Sequence, residues 1–186
     1  MRVLAISGSL RAESNNTALL RALREEAPED VEVIIWDGLR SIPPYDGDHD
    51  VIPAPTEVGA LRELVRDVDA VFFATPEYNS SVPGQLKNAL DWASRPVATN
   101  VLRNKPVAVV GASAGAFGAV WSQAELRKVL GAMGARVVEG GVAVGHAPTR
   151  FEGDHLVDTE LREQLAEVVS ALVSETAQRS AGRVAA

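Results

Sequence analysis

The sequence predicts an α/β protein, a three-layer sandwich in which a five-stranded parallel sheet lies between two layers of helices. Three observations carry this prediction. Five short runs are apolar almost without interruption, at residues 2–7, 31–36, 70–75, 106–110 and 136–144. Between and after them come five longer segments whose apolar residues recur at helical spacing. The short runs do not alternate apolar with polar residues, as a sheet with one wet face would; they read as strands covered on both sides.

Each element has its own signal. RVLAIS forms the first strand, and residues 17–27 form a helix with Leu19, Leu20, Leu23 and Ala27 on one face. VEVIIW is the second strand, followed by a Pro- and Asp-rich loop over 37–55 in which no residue pattern decides what it covers. A helix from about Thr56 places Val58, Leu61, Val65 and Val68 on one side and leads to the third strand, AVFFAT. Leu86, Ala89, Leu90 and Ala93 mark the next helix, and PVAVV is the fourth strand, running into Gly111. Leu126, Val129, Leu130 and Met133 mark the helix after it. The fifth strand, 136–144, contains Gly140 and Gly141, expected to form a bulge or a close approach. Leu161, Leu165, Val168, Val169 and Leu172 define the last helix. Residues 1–177 therefore read as one domain, and 178–186, small and polar, as a frayed tail; no internal repeat is present.

Composition narrows the function. The chain has 186 residues, 46% of them apolar, enough for one core of ordinary size. A net charge of -7 argues against a general nucleic-acid binder, which needs a basic face to displace phosphate counterions. Without cysteine there is no disulfide, iron–sulfur ligation, thiolate zinc site or thiol nucleophile, so redox chemistry would need a bound cofactor. The start, MRVLAISGSLR, turns polar after six residues and lacks a signal-cleavage pattern, so the expectation is a soluble cytoplasmic protein with no membrane partner.

In a parallel sheet of this kind ligands sit beyond the carboxyl ends of the strands, where the winding reverses. The loops that matter are then GSLRAESNNT, PEYNSSVPG and GASAGAFGAV. In the first, Gly8, Ser9, Ser14, Asn15, Asn16 and Thr17 supply hydroxyls, amides and backbone N–H groups at a helix start, with Arg11 as the one cation. A phosphate suits such a place, because a helix N-terminus carries unpaired N–H groups and partial positive charge. Simple helix capping by Ser14, Asn15 or Asn16, with Arg11 in solvent, is the competing reading. Neither GxxxxGK[ST] nor GxGxxG is present. Glu13 would repel a phosphate at close range and is expected to point outward or to meet a cation.

In the second loop Pro76 and Pro83 restrict the backbone and remove two donors. The groups between them, around Tyr78 and Asn79, could satisfy the edge of a flat heterocycle, or they could form a tight surface turn in which Asn79 bonds its own backbone. The third loop begins G-x-S-x-G, the pattern of a hydrolase nucleophile elbow at Ser113. A serine hydrolase would draw on His146 or His155 with Asp154 or Asp158, but neighbours such as Asp154 and His155 orient one another poorly, and no HGG-type oxyanion stretch appears. Small residues that let backbone approach a planar ligand, with Ser113 donating to it, are the second reading, and glycine packing is the third. His49, in the acidic turn DGDHD, reads as solvated loop charge rather than a metal ligand, and His146 and His155 as surface residues.

These three loops in this order resemble the NADPH-dependent FMN reductase family, flavodoxin-like enzymes that include quinone, chromate and azo-dye reductases. GSLRAESNNTAL is similar to the family's phosphate loop, TPEYNSSVPGQLKNALDW to its flavin-edge motif and GASAGAFGAV to its second glycine-rich loop. The resemblance implies FMN as cofactor, NADPH or NADH as donor and a small-molecule electron acceptor. It implies that Ser9, Arg11, Ser14 and Asn16 bind the FMN phosphate, that Pro76, Glu77, Tyr78 and Asn79 line the ring, and that Ser113 and Gly115 make the third contact. Thr17 belongs to the same phosphate loop. Two departures stand out: Glu13 where many relatives have glycine, and Ser80 where some have a tyrosine implicated in subunit contacts. Relatives are dimers or tetramers, so a homodimer or homotetramer is implied, with Trp92, Trp121 and Arg127 as interface candidates and a core role equally open for either Trp. A non-enzymatic flavodoxin-like electron carrier is the alternative.

Overall fold

The structure, a computed structural model, describes residues 1–184. Five helices and a parallel sheet follow one another as β1 (Arg2–Ser7), α1 (Asn15–Glu26), β2 (Glu32–Trp36), α2 (Thr56–Asp67), β3 (Ala70–Thr75), α3 (Gly84–Ala93), β4 (Pro106–Ala112) and α4 (Val120–Ala132). Then come β5 (Arg136–Val137), β6 (Ala143–Val144), a separate antiparallel hairpin of β7 (Phe151–Glu152) and β8 (His155–Leu156), and α5 (Thr159–Val184). The main sheet has the order β2-β1-β3-β4-β5, with β6 also paired to β4. Its strands run parallel in registers such as Val3↔Val33, Ile6↔Phe73 and Thr75↔Gly111.

Why the strand runs are apolar throughout is visible in the two cores. Val3 and Ala5 of β1, Ala70, Phe72 and Ala74 of β3, and Ala108 and Val110 of β4 face α1 and α5. Leu4, Ile6, Val71, Phe73, Val107 and Val109, the alternate residues of the same strands, face α2, α3 and α4. Period-2 side-chain alternation thus feeds two cores rather than a core and solvent. The three-layer architecture read from the sequence is the one observed.

Two details differ from expectation, and a third, the role of Trp92, is decided between the two readings left open. The fifth strand is not continuous: β5 and β6 flank a bulge over 138–142, in which Gly140 has φ +84°. The bulge is filled by the Arg127 guanidinium, which donates to Val138 O (2.8 Å), Val109 O (2.7 Å) and Gly140 O. Arg127 therefore completes the sheet edge, and burial lowers its pKa from the ordinary arginine value. Trp92 is a core residue, 1% exposed, with its ring edge-on to Tyr45 at 4.9 Å. The segment expected as a frayed tail continues α5 as far as Val184, while residues 185 and 186 lie outside the described residues.

The loop over 37–55 is strapped down by one face of α3. Gln85 Nε2 donates to Leu39 O (2.9 Å) and Ile42 O (2.8 Å). Asn88 accepts from Tyr45 N (2.7 Å) and donates to Pro43 O (2.8 Å), and Trp92 Nε1 donates to the same carbonyl (2.9 Å). Residues 85, 88 and 92 lie at helical spacing, so the QLKNALDW motif presents one polar seam to a loop whose backbone would otherwise lack partners.

Candidate functional site

The chain winds from β1 outward to β2, then returns across β1 to β3, so the reversal lies between the carboxyl ends of β1 and β3. A cleft of about 660 Å³ opens there, within the range of roughly 300–1,000 Å³ typical of small-molecule sites. It is walled by the loops after β1, β3 and β4 and by the 148–153 segment. Of the residues singled out in the sequence, Ser9, Arg11, Ser14, Asn16, Pro76, Glu77, Tyr78, Ser113 and Gly115 line it. Thr17 and Asn79 do not.

At one end lies the start of α1. Ser14 is its N-cap, its Oγ accepting from Asn16 N (3.2 Å) and Thr17 N (3.3 Å). Ser7 Oγ accepts from Thr17 Oγ1 (3.1 Å) and Ser9 N (3.3 Å), which folds the loop back onto the end of β1 and explains why Thr17 sits beneath the cleft rather than in it. Arg40 donates to Leu10 O (2.5 Å) from the far side. The backbone N–H groups of Ala12, Glu13, Ser14 and Asn15 find no acceptor among the described residues, and the exposed Arg11 guanidinium has no partner among them. This cluster of donors ahead of a helix is suited to an anion. Glu13 is exposed and stands at the cleft rim without an ion-pair partner among the described residues.

Asn16, which lines the cleft, also bridges two loops. Its amide donates to Ala112 O (2.9 Å) and accepts from Ala112 N (3.0 Å), with the side chain buried. It ties the first loop to the end of β4, where the third loop begins.

The second loop is a tight hairpin turn. Tyr78 and Ser81 exchange backbone hydrogen bonds (3.2 and 3.1 Å) across Asn79 (φ 52°) and Ser80 (φ 60°). Both central residues are left-handed, as a type I′ turn requires, and Asn79 is not among the residues that line the cleft. Glu77 Oε2 accepts the N–H groups of Trp121 (3.0 Å) and Ser122 (3.1 Å), capping α4, whose own N-cap Ala119 has no side chain to do so. Thr75 Oγ1 donates to Pro76 O (2.8 Å) and pairs with Ser122 Oγ (2.9 Å). From α4, Glu125 Oε2 accepts Ser81 Oγ (2.5 Å) and Val82 N (3.3 Å). The Ser81 hydroxyl, then the Val82 N–H, hold the Glu125 carboxyl below its ordinary value; Lys128 and Lys87 add to this, and burial opposes it.

The third loop, 113–119, is shaped by close approach. A Cβ at Gly118 (φ +59°) would collide with the Ala143 carbonyl carbon, whereas a Cβ at Gly115 would meet only Ser113 Oγ at 3.8 Å, so the space above Gly115 is open to a ligand. Ser113 Oγ donates to Gly115 O (3.3 Å), and no hydrogen bond links it to a histidine among the described residues. His155 instead meets Glu25 (2.9 Å) and His49 meets Asp46 (3.1 Å). No group of three or more His, Asp or Glu side chains among the described residues converges to hold a metal.

Sequence reasoning missed Pro148, Phe151 and Gly153, which close the cleft beside the α1 end. Their hairpin had a signal, Gly153-Asp154 between Phe151 and Leu156, a two-residue hairpin loop. It is fastened to α1 by Arg21 with Asp154 and by Glu25 with His155. Beside the cleft Tyr78, Phe117 and Trp121 are exposed (49%, 64% and 49%), the last two in an edge-on pair at 5.0 Å. No helix among the described residues is long and apolar enough to cross a membrane.

Comparison with known proteins shows the family and the fold. A sequence profile described as NADPH-dependent FMN reductase matches residues 1–149. An NAD(P)H-dependent FMN reductase of Pseudomonas aeruginosa is 38% identical over 174 residues, covering 92% of this chain and 93% of the relative. A quinone reductase of Escherichia coli K12 is 41% identical over 133 residues, 70% of this chain and 69% of the relative. The solved structure of FerB, a flavoenzyme NAD(P)H:acceptor oxidoreductase from Paracoccus denitrificans, superposes with a TM-score of 0.85 at 33% identity, covering 96% of this chain and 98% of that one. The chain thus belongs to the NADPH-dependent FMN reductase family.

Proposed function

We propose that the cleft holds FMN, with its phosphate at the start of α1 and its ring between the 76–82 turn and the 113–119 loop, and that the protein oxidises NADPH or NADH and reduces a small acceptor such as a quinone. The observation that carries this reading is that one cleft joins a cluster of unengaged N–H donors and the Arg11 cation to two rigid loops. FMN, when bound, supplies the chemistry: it takes a hydride from the nicotinamide and passes electrons to a second acceptor.

The chain's own residues bind and orient. Arg11 and the N–H groups of residues 12–15 meet the phosphate, and Ser14 holds the helix start in register for them. Ser9 lies at the same end and can donate its hydroxyl. Asn16 acts through Ala112, keeping the first and third loops at a fixed spacing. Pro76, Glu77 and Tyr78 form the wall at the ring's edge, Ser113 can donate to it, and Gly115 leaves room for its plane. No side chain of the cleft needs to act as a nucleophile.

The exposed aromatic edge of Tyr78, Phe117 and Trp121 favours a homodimer or homotetramer in which a second copy covers Phe117 and Trp121, since clustered exposed aromatics mark interaction surfaces. We further propose a cytoplasmic location, where a nicotinamide donor would be at hand.

An absorption spectrum of the purified protein with added FMN, before and after NADPH, tests the function. The expected result is a bound-flavin spectrum that NADPH bleaches directly and a quinone restores. Bound flavin that NADPH cannot bleach without a partner reductase would make the protein a carrier. Ester hydrolysis without flavin that is abolished by Ser113→Ala would overturn the reading altogether.

A further inference from the structure

The turn over 76–82 has two non-glycine residues, Asn79 and Ser80, in the left-handed region. Such residues are strained and persist only when their surroundings hold them. Among the described residues the polar side chains that hold this turn come from, or reach to, a single helix. Glu77 reaches from the turn to the N–H groups of Trp121 and Ser122, in the first turn of α4. Glu125 reaches from the second turn of α4 to the Ser81 hydroxyl and the Val82 N–H. The two carboxylates run in opposite directions across one seam, and the backbone they immobilise includes Tyr78, at the cleft wall.

Helix capping alone explains Glu77, but it leaves Glu125 unexplained, since residue 125 lies past the helix start and is exposed. Simple turn closure leaves both unexplained, because the Tyr78–Ser81 backbone bonds already close the turn. What the pair adds is position: it sets where the turn stands relative to α4 and hence to the 113–119 loop that leads into α4. This matters for a planar ligand held between those two loops.

We propose that Glu77 and Glu125 are positioning residues, a reciprocal carboxylate clamp that sets the spacing of the two loops and thereby the grip on the flavin ring. This rests on the placement of FMN given above. Because the clamp acts at the ring end and not at the α1 end, its loss weakens riboflavin and FMN to the same extent.

The test is a titration of wild type, Glu77→Ala, Glu125→Ala and both Gln variants with FMN and with riboflavin, followed by the midpoint potential of the bound flavin. Each Ala variant is expected to raise both dissociation constants by the same factor, about tenfold. The bound potential should move toward that of free flavin. Gln keeps an accepting oxygen at either position, so Glu125→Gln and Glu77→Gln should recover most of the affinity, and they carry the test if an Ala variant fails to fold. Folded variants with unchanged riboflavin affinity and unchanged potential, or a loss confined to FMN, would overturn the clamp while leaving the flavin site standing. A wild-type protein that binds neither flavin would instead overturn the site.

Discussion

Replacing Asn16 by alanine should destabilise the fold and loosen the cleft together. The Asn16 amide makes two hydrogen bonds to one residue, Ala112, at 2.9 and 3.0 Å, and both residues are buried, at 3% and 1% exposure. Truncation leaves the Ala112 N–H and C=O without partners at the end of a central strand. Each unsatisfied buried group costs about 1–3 kcal/mol, and partial relaxation or an entering water offsets some of it, giving a net loss of about 2–4 kcal/mol. For a domain of this size that lowers the melting temperature by about 5–15 °C. Urea unfolding of the apoprotein measures it directly. Asn16→Asp is the control: it keeps the acceptor for Ala112 N–H but sets a carboxylate against Ala112 O, and should be no better than alanine. A loss below about 0.5 kcal/mol for Asn16→Ala, in the range of an ordinary surface change, would refute the idea that this amide joins the first loop to the third.

Three further outcomes follow from the same structure. Arg11→Ala should weaken FMN by roughly ten- to a hundredfold, the loss of a bond to a charged group, while leaving riboflavin affinity unchanged in the same titration. Glu125 has a lowered pKa in the folded state, so its ionised form contributes stability that is fully present above its ordinary value of 4.5 and is lost as pH falls through the folded-state pKa. The stability gap between wild type and Glu125→Gln, from denaturant titrations across pH, should therefore be constant near neutrality and narrow below about pH 4.5; a gap that widens on acidification would give the shift the wrong sign. Trp121→Asp should reduce the assembled mass seen by light scattering while the monomer stays folded, because its ring is half-exposed and its backbone N–H, bonded to Glu77, is unaffected by the change.

The sheet and its helices were legible because burial on both faces writes itself as unbroken apolar runs. Leu4 and Ala5 face opposite cores, yet both must be apolar. The loops that build the cleft were legible from position, since they follow β1, β3 and β4 and carry prolines, glycines and small polar residues. What escaped was the partner of each polar side chain. Asn16, read as a phosphate contact, bonds a residue 96 positions away, and Glu77 caps a helix 44 positions away. Arg127, read as an interface candidate, fills a bulge. Sequence spacing reports helical and strand neighbours; it carries no information on which distant backbone group a long side chain will meet. The interruption of the fifth strand escaped for a related reason. Gly140 and Gly141 signalled a bulge, but its width is set by the guanidinium that occupies it.

The most direct test of the flavin site is a calorimetric titration of the apoprotein with FMN and, in parallel, with riboflavin. The predicted result is one FMN per chain, with riboflavin markedly weaker because it offers no phosphate to Arg11 and the N–H groups ahead of α1. Equal affinity for the two would remove the phosphate from that helix start, and no heat with either would contradict a flavin in this cleft.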